Sequence, residues 1–205
     1  MSSLRKLQRQ RREQGILFAA EALFNERGYS AVNVEEIAAR AEVGVATIYK
    51  YFGTKPGLIR ELFRPEIEKL RAAGEKVLGA PDPDPARGMA KLIAQYRFGE
   101  RWQHRDLYRE ISGLNWGYAA VFEGLRERID ALICSQIETL VRHYVRLGRM
   151  PRSIKPADVS AILYAIHTFH LQEWALREDI SLAHTRANIR RQVLLTFRAW
   201  TVPPR

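Results

Sequence analysis

The fold of this chain depends on the stretch "VGVATIYKYFGTK", residues 43–55. Its Val, Thr, Ile, Tyr and Phe residues favour a β-strand by propensity, but the stretches on either side space their apolar residues as helices do. A strand would place Tyr49 and Tyr51 together on one face, and nothing nearby in the sequence offers a partner strand. The surrounding sequence therefore favours a helix.

Treated as a helix, the stretch has one apolar face and one polar face. With Ile48 taken as the inward direction, Val45 and Phe52 lie within about 60° of it at a turn of about 100° per residue. Ala46 and Lys50 then point outward. The pattern predicts a short helix that packs through Ile48 and presents Lys50 to solvent.

Two predicted helices precede this one. The apolar stripe of the first consists of Ile16, Leu17, Ala20, Leu23 and Phe24. Gly28 ends that helix, and Asn33 with Glu36 matches a capping box at the start of a second helix, which stops near Glu42. Gly44 then permits a tight turn. Three helices, the last two short and joined by a turn, predict a helix-turn-helix motif.

In a helix-turn-helix motif the second short helix enters the DNA major groove. The unusual composition of the stretch suits that position, because a small Ala46 allows close approach to base edges and Lys50 can reach a guanine or a phosphate. Hydroxyl groups on Thr47, Tyr49 and Tyr51 can donate to phosphates on either wall of the groove.

Lys55 begins the next predicted helix, where it adds a charge and a backbone amide near the same phosphates. The alternative interpretation is a compact helical subdomain whose hydroxyl groups face water. The short motif by itself leaves both interpretations open.

The charge of the chain indicates a polyanionic partner. The formal net charge is +10 and the isoelectric point is near 10.0, and such a field attracts phosphates before any specific contact forms. The basic residues at the start of the sequence are expected to form a short N-terminal arm, and they are Arg5, Lys6, Arg9, Arg11 and Arg12. A second basic cluster follows Asp179, and a solvated surface is the favoured interpretation of that one.

The cysteine content and the hydropathy predict a cytoplasmic protein. A single cysteine, Cys134, excludes an intramolecular disulfide and a CxxC pair. It is expected to be a buried structural thiol, with a reactive thiol as the alternative. No apolar stretch reaches the ~18 residues that a membrane helix needs, and the N-terminus lacks the apolar core of a secretory signal. No contact with a membrane is predicted.

The sequence carries no familiar enzyme motif. It has no P-loop, no dinucleotide-binding glycine pattern, no HExxH and no GxSxG. His167 and His170 lack a third metal ligand at a convincing spacing. We therefore expect no catalytic residue, no metal and no cofactor. An unfamiliar enzyme site and a nucleic-acid binder without ligand control remain the alternatives.

Residues 22–59, "ALFNERGYSAVNVEEIAARAEVGVATIYKYFGTKPGLI", strongly resemble the N-terminal DNA-binding domain of the tetracycline-repressor (TetR) family of bacterial transcription regulators. The resemblance implies that Thr47, Tyr49 and Lys55 contact phosphates. It implies a groove-facing set that consists of Val45, Ala46, Lys50 and Tyr51. Two positions depart from the family pattern: Asn33 stands where Thr or Ser is common, and Gly44 stands where Ser is frequent.

The resemblance also implies an architecture and a function. The fold is expected to be all-α, with an N-terminal basic arm and helix-turn-helix domain at residues 1–55 and a larger helical domain at residues 56–205. In the family the larger domain binds a small-molecule effector and forms a homodimer. The implied function is a repressor that an effector releases from double-stranded operator DNA.

The sequence beyond residue 55 is compatible with that second domain. Pro65 and the loop "GAPDPDPARG" punctuate it, and helices are predicted near 117–148, 156–179 and 181–200. The helix at 156–179 carries apolar residues around much of its circumference and so needs burial on two sides. This helix and the last one are expected to form the dimer interface, with the core of the chain itself as the alternative role for both. The last helix supplies the apolar residues Ile189, Val193, Leu194, Phe197 and Trp200.

An aromatic-rich set in this domain suits an effector pocket, because such pockets are largely apolar with a few polar groups. The residues favoured for effector contact are Trp116, Phe122, His167 and Trp174. Ordinary core packing is the alternative role for each of them.

Overall fold

The structure is a computed structural model that describes residues 2–96, 105–112 and 119–200, and it has helices and no strand within those ranges. The helices are α1 Ser2–Arg27, α2 Val34–Arg40, α3 Val45–Phe52, α4 Lys55–Gly79, α5 Pro85–Ile93, α6 Asp106–Ser112, α7 Ala119–Arg146, α8 Pro156–Leu176 and α9 Leu182–Trp200. The prediction of an all-α fold with an N-terminal helix-turn-helix is confirmed. Within the described residues, every helix is too short or too polar to cross a lipid bilayer.

The chain forms two compact units. The first contains Met1–Glu66 and Gly99–Leu125, and the second contains Ile67–Phe98 and Arg126–Arg205. The division of function at residues 1–55 and 56–205 stays a prediction.

The caps of the first helices follow the sequence closely. Gly28 has a φ of 82° and donates its N–H to the Phe24 carbonyl at 2.9 Å, which ends α1 as a glycine in the left-handed region does. Asn33 Oδ1 accepts from the Glu36 N–H at 2.8 Å, and Glu36 Oε2 accepts from the Asn33 N–H at 2.9 Å. The predicted capping box is therefore confirmed, and it orients α2 relative to the preceding loop.

The turn between α2 and α3 differs from the prediction. Gly44 was expected to make the tight turn, but its φ and ψ of −72° and 144° are extended values that any residue adopts. Glu42 occupies the left-handed region instead, with a φ of 53°. Gly44 is the N-cap of α3, and the space around it would admit a side chain.

Two further predictions about chain breaks were wrong. The N-terminal basic segment is not a separate arm, because α1 begins at Ser2; its Leu, Arg, Lys and Gln residues are good helix formers and no proline interrupts them. Pro65 lies inside α4 and does not end it. As a proline it has no N–H for the helical hydrogen bond, and the boundary between the two units follows directly after it.

The second unit is built around α5, α8 and α9, in which α9 packs against both α5 and α8. Asp84 caps α5 by accepting from the Arg87 N–H at 3.0 Å, and the Tyr144 hydroxyl donates to the Asp82 carbonyl at 2.7 Å. The "GAPDPDPARG" loop is thereby fixed to α7. Cys134 was expected to be buried but is half-buried. The pKa of its thiol is raised, mainly because partial burial removes water from it.

The structure places two of the predicted interface residues of the last helix inside the single chain. Val193 and Phe197 are both 0% exposed within the single chain. They therefore belong to the chain's own core and are unavailable to a dimer partner. Apolar side chains that stay exposed lie elsewhere on α8 and α9, at Ile162, Phe169, Leu176 and Leu195.

Candidate nucleic-acid interface

The buried side of α3 fixes this helix in the first unit. Ile48 is fully buried and Phe52 is buried, and α3 packs against α2, which in turn packs against α1. The opposite side is exposed at Ala46, Tyr49 and Lys50. This arrangement agrees with the prediction that Ile48 points inward and that Ala46 and Lys50 point outward, because packing the apolar face of a helix leaves its opposite face in water.

The remaining predicted contacts of α3 lie at the flanks of the helix. Val45, Thr47 and Tyr51 are half-buried, and the Thr47 N–H donates to the Gly44 carbonyl at 2.8 Å as the first turn of α3 closes. Of the six predicted DNA-contacting residues of α3, three are thus exposed and three are half-buried.

Exposed ion pairs join α1 to α2. Both terminal nitrogens of Arg40 donate to the Glu26 carboxylate at 2.7 Å, and Arg27 Nη1 donates to Glu36 Oε1 at 2.6 Å. Each arginine lowers the pKa of the carboxyl group it meets, although the larger cause at Glu36 is the hydrogen bond from Asn33. Because such surface pairs contribute little free energy, the apolar core and the caps supply most of the stability of the motif.

Lys55, the predicted phosphate contact at the start of α4, has a second role in the structure. Its Nζ donates to the Tyr29 carbonyl at 2.5 Å and lies 4.0 Å from the centroid of the Tyr29 ring. It lies 5.9 Å from the centroid of the Phe24 ring. Lys55 therefore links the N-terminus of α4 to the loop between α1 and α2. An ammonium group carries three protons, so this link is compatible with a phosphate contact.

Asp106 on α6 is a supporting residue that the sequence did not reveal. Its Oδ2 accepts from the Ser30 N–H at 3.3 Å, and a Cβ at Gly28 would lie 2.5 Å from the same oxygen. Two features therefore favour glycine at position 28: its positive φ, and the lack of a Cβ that would collide with the Asp106 carboxylate. No local signal could have found the contact, because Ser30 and Asp106 are 76 residues apart.

Of the predicted effector contacts, the structure describes two completely. His167 and Trp174 are buried on the same side of α8, two turns apart. Trp116 lies outside the described residues, and so does the side chain of Phe122. The structure therefore leaves the predicted set of four as a prediction.

His167 lies at one end of a series of buried contacts that runs through Tyr96 and Gln136. Its ring meets the ring of Tyr96 edge-on, with centroids 6.0 Å apart. The Tyr96 hydroxyl donates to Gln136 Oε1 at 3.2 Å, and Gln136 Nε2 donates to the Arg71 carbonyl at 3.2 Å. Desolvation by burial lowers the pKa of His167 to about 4, so this imidazole is neutral at neutral pH.

A chain whose second and third helices form this motif belongs to the class of helix-turn-helix proteins. Residues 16–62 match the model of the tetR family of bacterial regulatory proteins. The match covers the helix-turn-helix motif of the first unit, and this segment is therefore similar to the DNA-binding segment of TetR-family regulators.

The chain is similar to known transcriptional regulators both in sequence and in fold. The transcriptional repressor KstR of Rhodococcus jostii is 34% identical over 88 residues, which cover 43% of this chain and 40% of KstR. The transcriptional activator FasR of Mycolicibacterium smegmatis is 30% identical over 95 residues, which cover 46% of this chain and 43% of FasR. The chain thus spans less than half the length of these two relatives. A TetR/AcrR-family regulator from Thermobifida fusca shares the fold, with a TM-score of 0.66, 19% identity and coverage of 90% of this chain and 97% of that one.

Proposed function

We propose that the protein is a DNA-binding transcriptional regulator. The observation that carries the proposal is the surface of α3, where Ile48 and Phe52 anchor the helix and Ala46 and Lys50 face outward. A helix held in this way can enter a major groove without exposing apolar core. The net charge of +10 supports a polyanionic partner, here double-stranded operator DNA.

Within this proposal, Val45, Ala46, Lys50 and Tyr51 read base edges, and Thr47, Tyr49 and Lys55 contact phosphates. This division follows the resemblance of residues 22–59 to the TetR family, and the exposure of Ala46 and Lys50 supports their place in the base-reading set. The relatives include a repressor and an activator. We propose repression with release by a small-molecule effector, as is typical of the family.

The exposed apolar residues of α8 support a homodimer. Ile162, Phe169 and Leu176 are spaced seven residues apart and are 42%, 55% and 61% exposed. Residues at this spacing share one face of a helix, and Leu195 adds a fourth exposed apolar side chain on α9. Two copies of α8 and α9 would bury these side chains in a four-helix bundle. A two-fold protein also suits a two-fold operator.

The effector is proposed to bind in the second, helical domain beside His167 and Trp174, with Trp116 and Phe122 as further candidates. Because His167 is neutral at neutral pH, it offers a hydrogen bond and no charge. A small effector that is at least partly aromatic or apolar fits such surroundings.

Transcriptional regulation requires no catalytic group, and we propose that the protein is not an enzyme. As a regulator of chromosomal genes it would act in the cytoplasm. The second candidate function is a nucleic-acid binder without ligand control, which the basic charge alone would also support.

The proposal is tested by selecting duplexes from a random pool with the protein and measuring affinities for the best duplex and a scrambled one. A regulator is expected to prefer its selected site by about 10³-fold or more. Equal affinities would favour the binder without sequence readout. A screen of small apolar and aromatic compounds tests the control step: an effector that lowers operator affinity must itself bind more weakly, by the same factor, when the operator is present.

A further inference from the structure

The N-terminal half of α1 meets the recognition helix α3 through one arginine. The Cζ of Arg9 lies 5.5 Å from the centroid of the Tyr51 ring, a distance at which a guanidinium group is attracted to an aromatic face. The Nε of Arg9 also donates to Glu13 Oε1 at 2.8 Å. Glu13, one turn further along α1, thereby holds the guanidinium beside the ring.

The three residues line one groove in the first unit, with a volume of about 500 Å³. The Tyr51 ring in this groove is half-buried and also meets Phe52 edge-on, with centroids 6.2 Å apart. Tyr51 is therefore bounded by a buried aromatic ring and by the guanidinium of Arg9. Lys50, the neighbouring residue on α3, is exposed in contrast.

We propose that Arg9 is a positioning residue for sequence readout: it holds the Tyr51 ring in the orientation in which α3 meets the major groove. The inference rests on the proposed function. An unrestrained side chain must give up rotamer freedom when it binds, and a side chain already held in place loses less. Arg9 thus contributes to base preference through Tyr51 and not through a phosphate.

The surroundings of Arg9 distinguish this role from that of an ordinary phosphate contact. A carboxylate at 2.8 Å offsets the positive charge that would attract a phosphate. The planar face and the Nε are the features that the structure uses, and lysine has neither of them. Arg9→Lys keeps the charge and loses only the planar face and the Nε–H, because an ammonium group also attracts an aromatic ring; Arg9→Gln removes the cation altogether and is the variant that removes the proposed function of the side chain.

The test uses the duplex that the wild-type protein selects, its single-base-pair variants and a scrambled duplex, each over a salt series. Tyr51→Leu first locates the base pairs at which Tyr51 contributes to preference. Arg9→Gln is expected to relax preference at the same base pairs by about two- to fivefold, and Arg9→Lys by less, because the ammonium group keeps part of the attraction to the ring. Neither is expected to relax it further in the Tyr51→Leu background. Arg12→Gln, an exposed charge on the same helix, is the control and should leave those preferences unchanged.

Three outcomes would overturn the inference. If Arg9→Gln weakens all duplexes equally and makes the salt dependence shallower, Arg9 is a phosphate contact. If Arg9 variants leave every base preference unchanged, or if Tyr51→Leu relaxes none, Arg9 does not position a reader. A wild-type protein without any sequence preference would instead refute the proposed function, and this inference with it.

Discussion

Replacing Lys55 with methionine tests the link between α4 and the loop that follows α1. The substitution keeps most of the aliphatic stem and removes the ammonium group. Lys55 Nζ lies 2.5 Å from the Tyr29 carbonyl oxygen and 4.0 Å from the centroid of the Tyr29 ring. A hydrogen bond from a charged donor contributes about 1.5–3 kcal/mol, and an exposed cation–π contact about 0.5–1 kcal/mol. Because Lys55 is only half-buried, we expect Lys55→Met to lower the free energy of unfolding by about 2 kcal/mol.

The matched control is Lys50→Met on the exposed face of α3. A surface substitution of this kind is expected to change the free energy of unfolding by less than about 0.5 kcal/mol. Urea unfolding followed by circular dichroism measures both variants at one pH and one salt concentration. If the two variants unfold at the same urea concentration, then the Lys55 link does not stabilise the motif and our interpretation of it is wrong.

The same two variants separate positioning from readout on DNA. Lys55→Met is expected to weaken operator and scrambled duplexes alike and to reduce the salt slope by about one per protomer. Lys50→Met is expected to cost about 1–3 kcal/mol on the operator, and less on scrambled DNA, if Lys50 makes a bidentate base contact. An unchanged salt slope for Lys55→Met would limit Lys55 to its structural link. Equal losses and a shallower slope for Lys50→Met would make Lys50 a phosphate contact.

Three further predictions test other parts of the chain. The pKa of His167 is lowered to about 4 in the folded state and is about 6.5 in the unfolded state. The contribution of His167 to the free energy of unfolding is therefore fully present above pH 6.5 and is lost as the pH falls toward 4. Between pH 7 and pH 5 the free energy of unfolding should fall by about 2 kcal/mol more in the wild type than in His167→Gln. Asn33→Ala removes the cap of α2 and should cost about 1 kcal/mol in urea unfolding, whereas Asn33→Ser should restore most of it; equal stability of all three proteins would contradict a role for the cap. The wild type should sediment at twice the chain mass of 23.6 kDa, and Phe169→Glu should sediment as a monomer. Phe18→Glu should remain dimeric, because Phe18 is also exposed but lies on α1. A wild-type monomer at micromolar concentration would refute the dimer.

The sequence by itself determined the elements whose signals are local. The capping box at Asn33, the end of α1 at Gly28 and the inward direction of Ile48 on α3 all follow from residues within a few positions of one another. Helix caps and helical periodicity act over one or two turns, and a sequence displays that range directly. For the same reason the exposed face of α3 could be assigned before the structure was known.

Only the tertiary structure decided which residues meet across helices. Val193 follows the same apolar pattern whether it packs inside one chain or against a partner, and only its complete burial placed it in the core. The links from Lys55 to Tyr29 and from Arg9 to Tyr51 depend on where the helices cross. Periodicity specifies which face of a helix is apolar but not which helix covers it, because any apolar surface of suitable shape lowers the free energy by being buried.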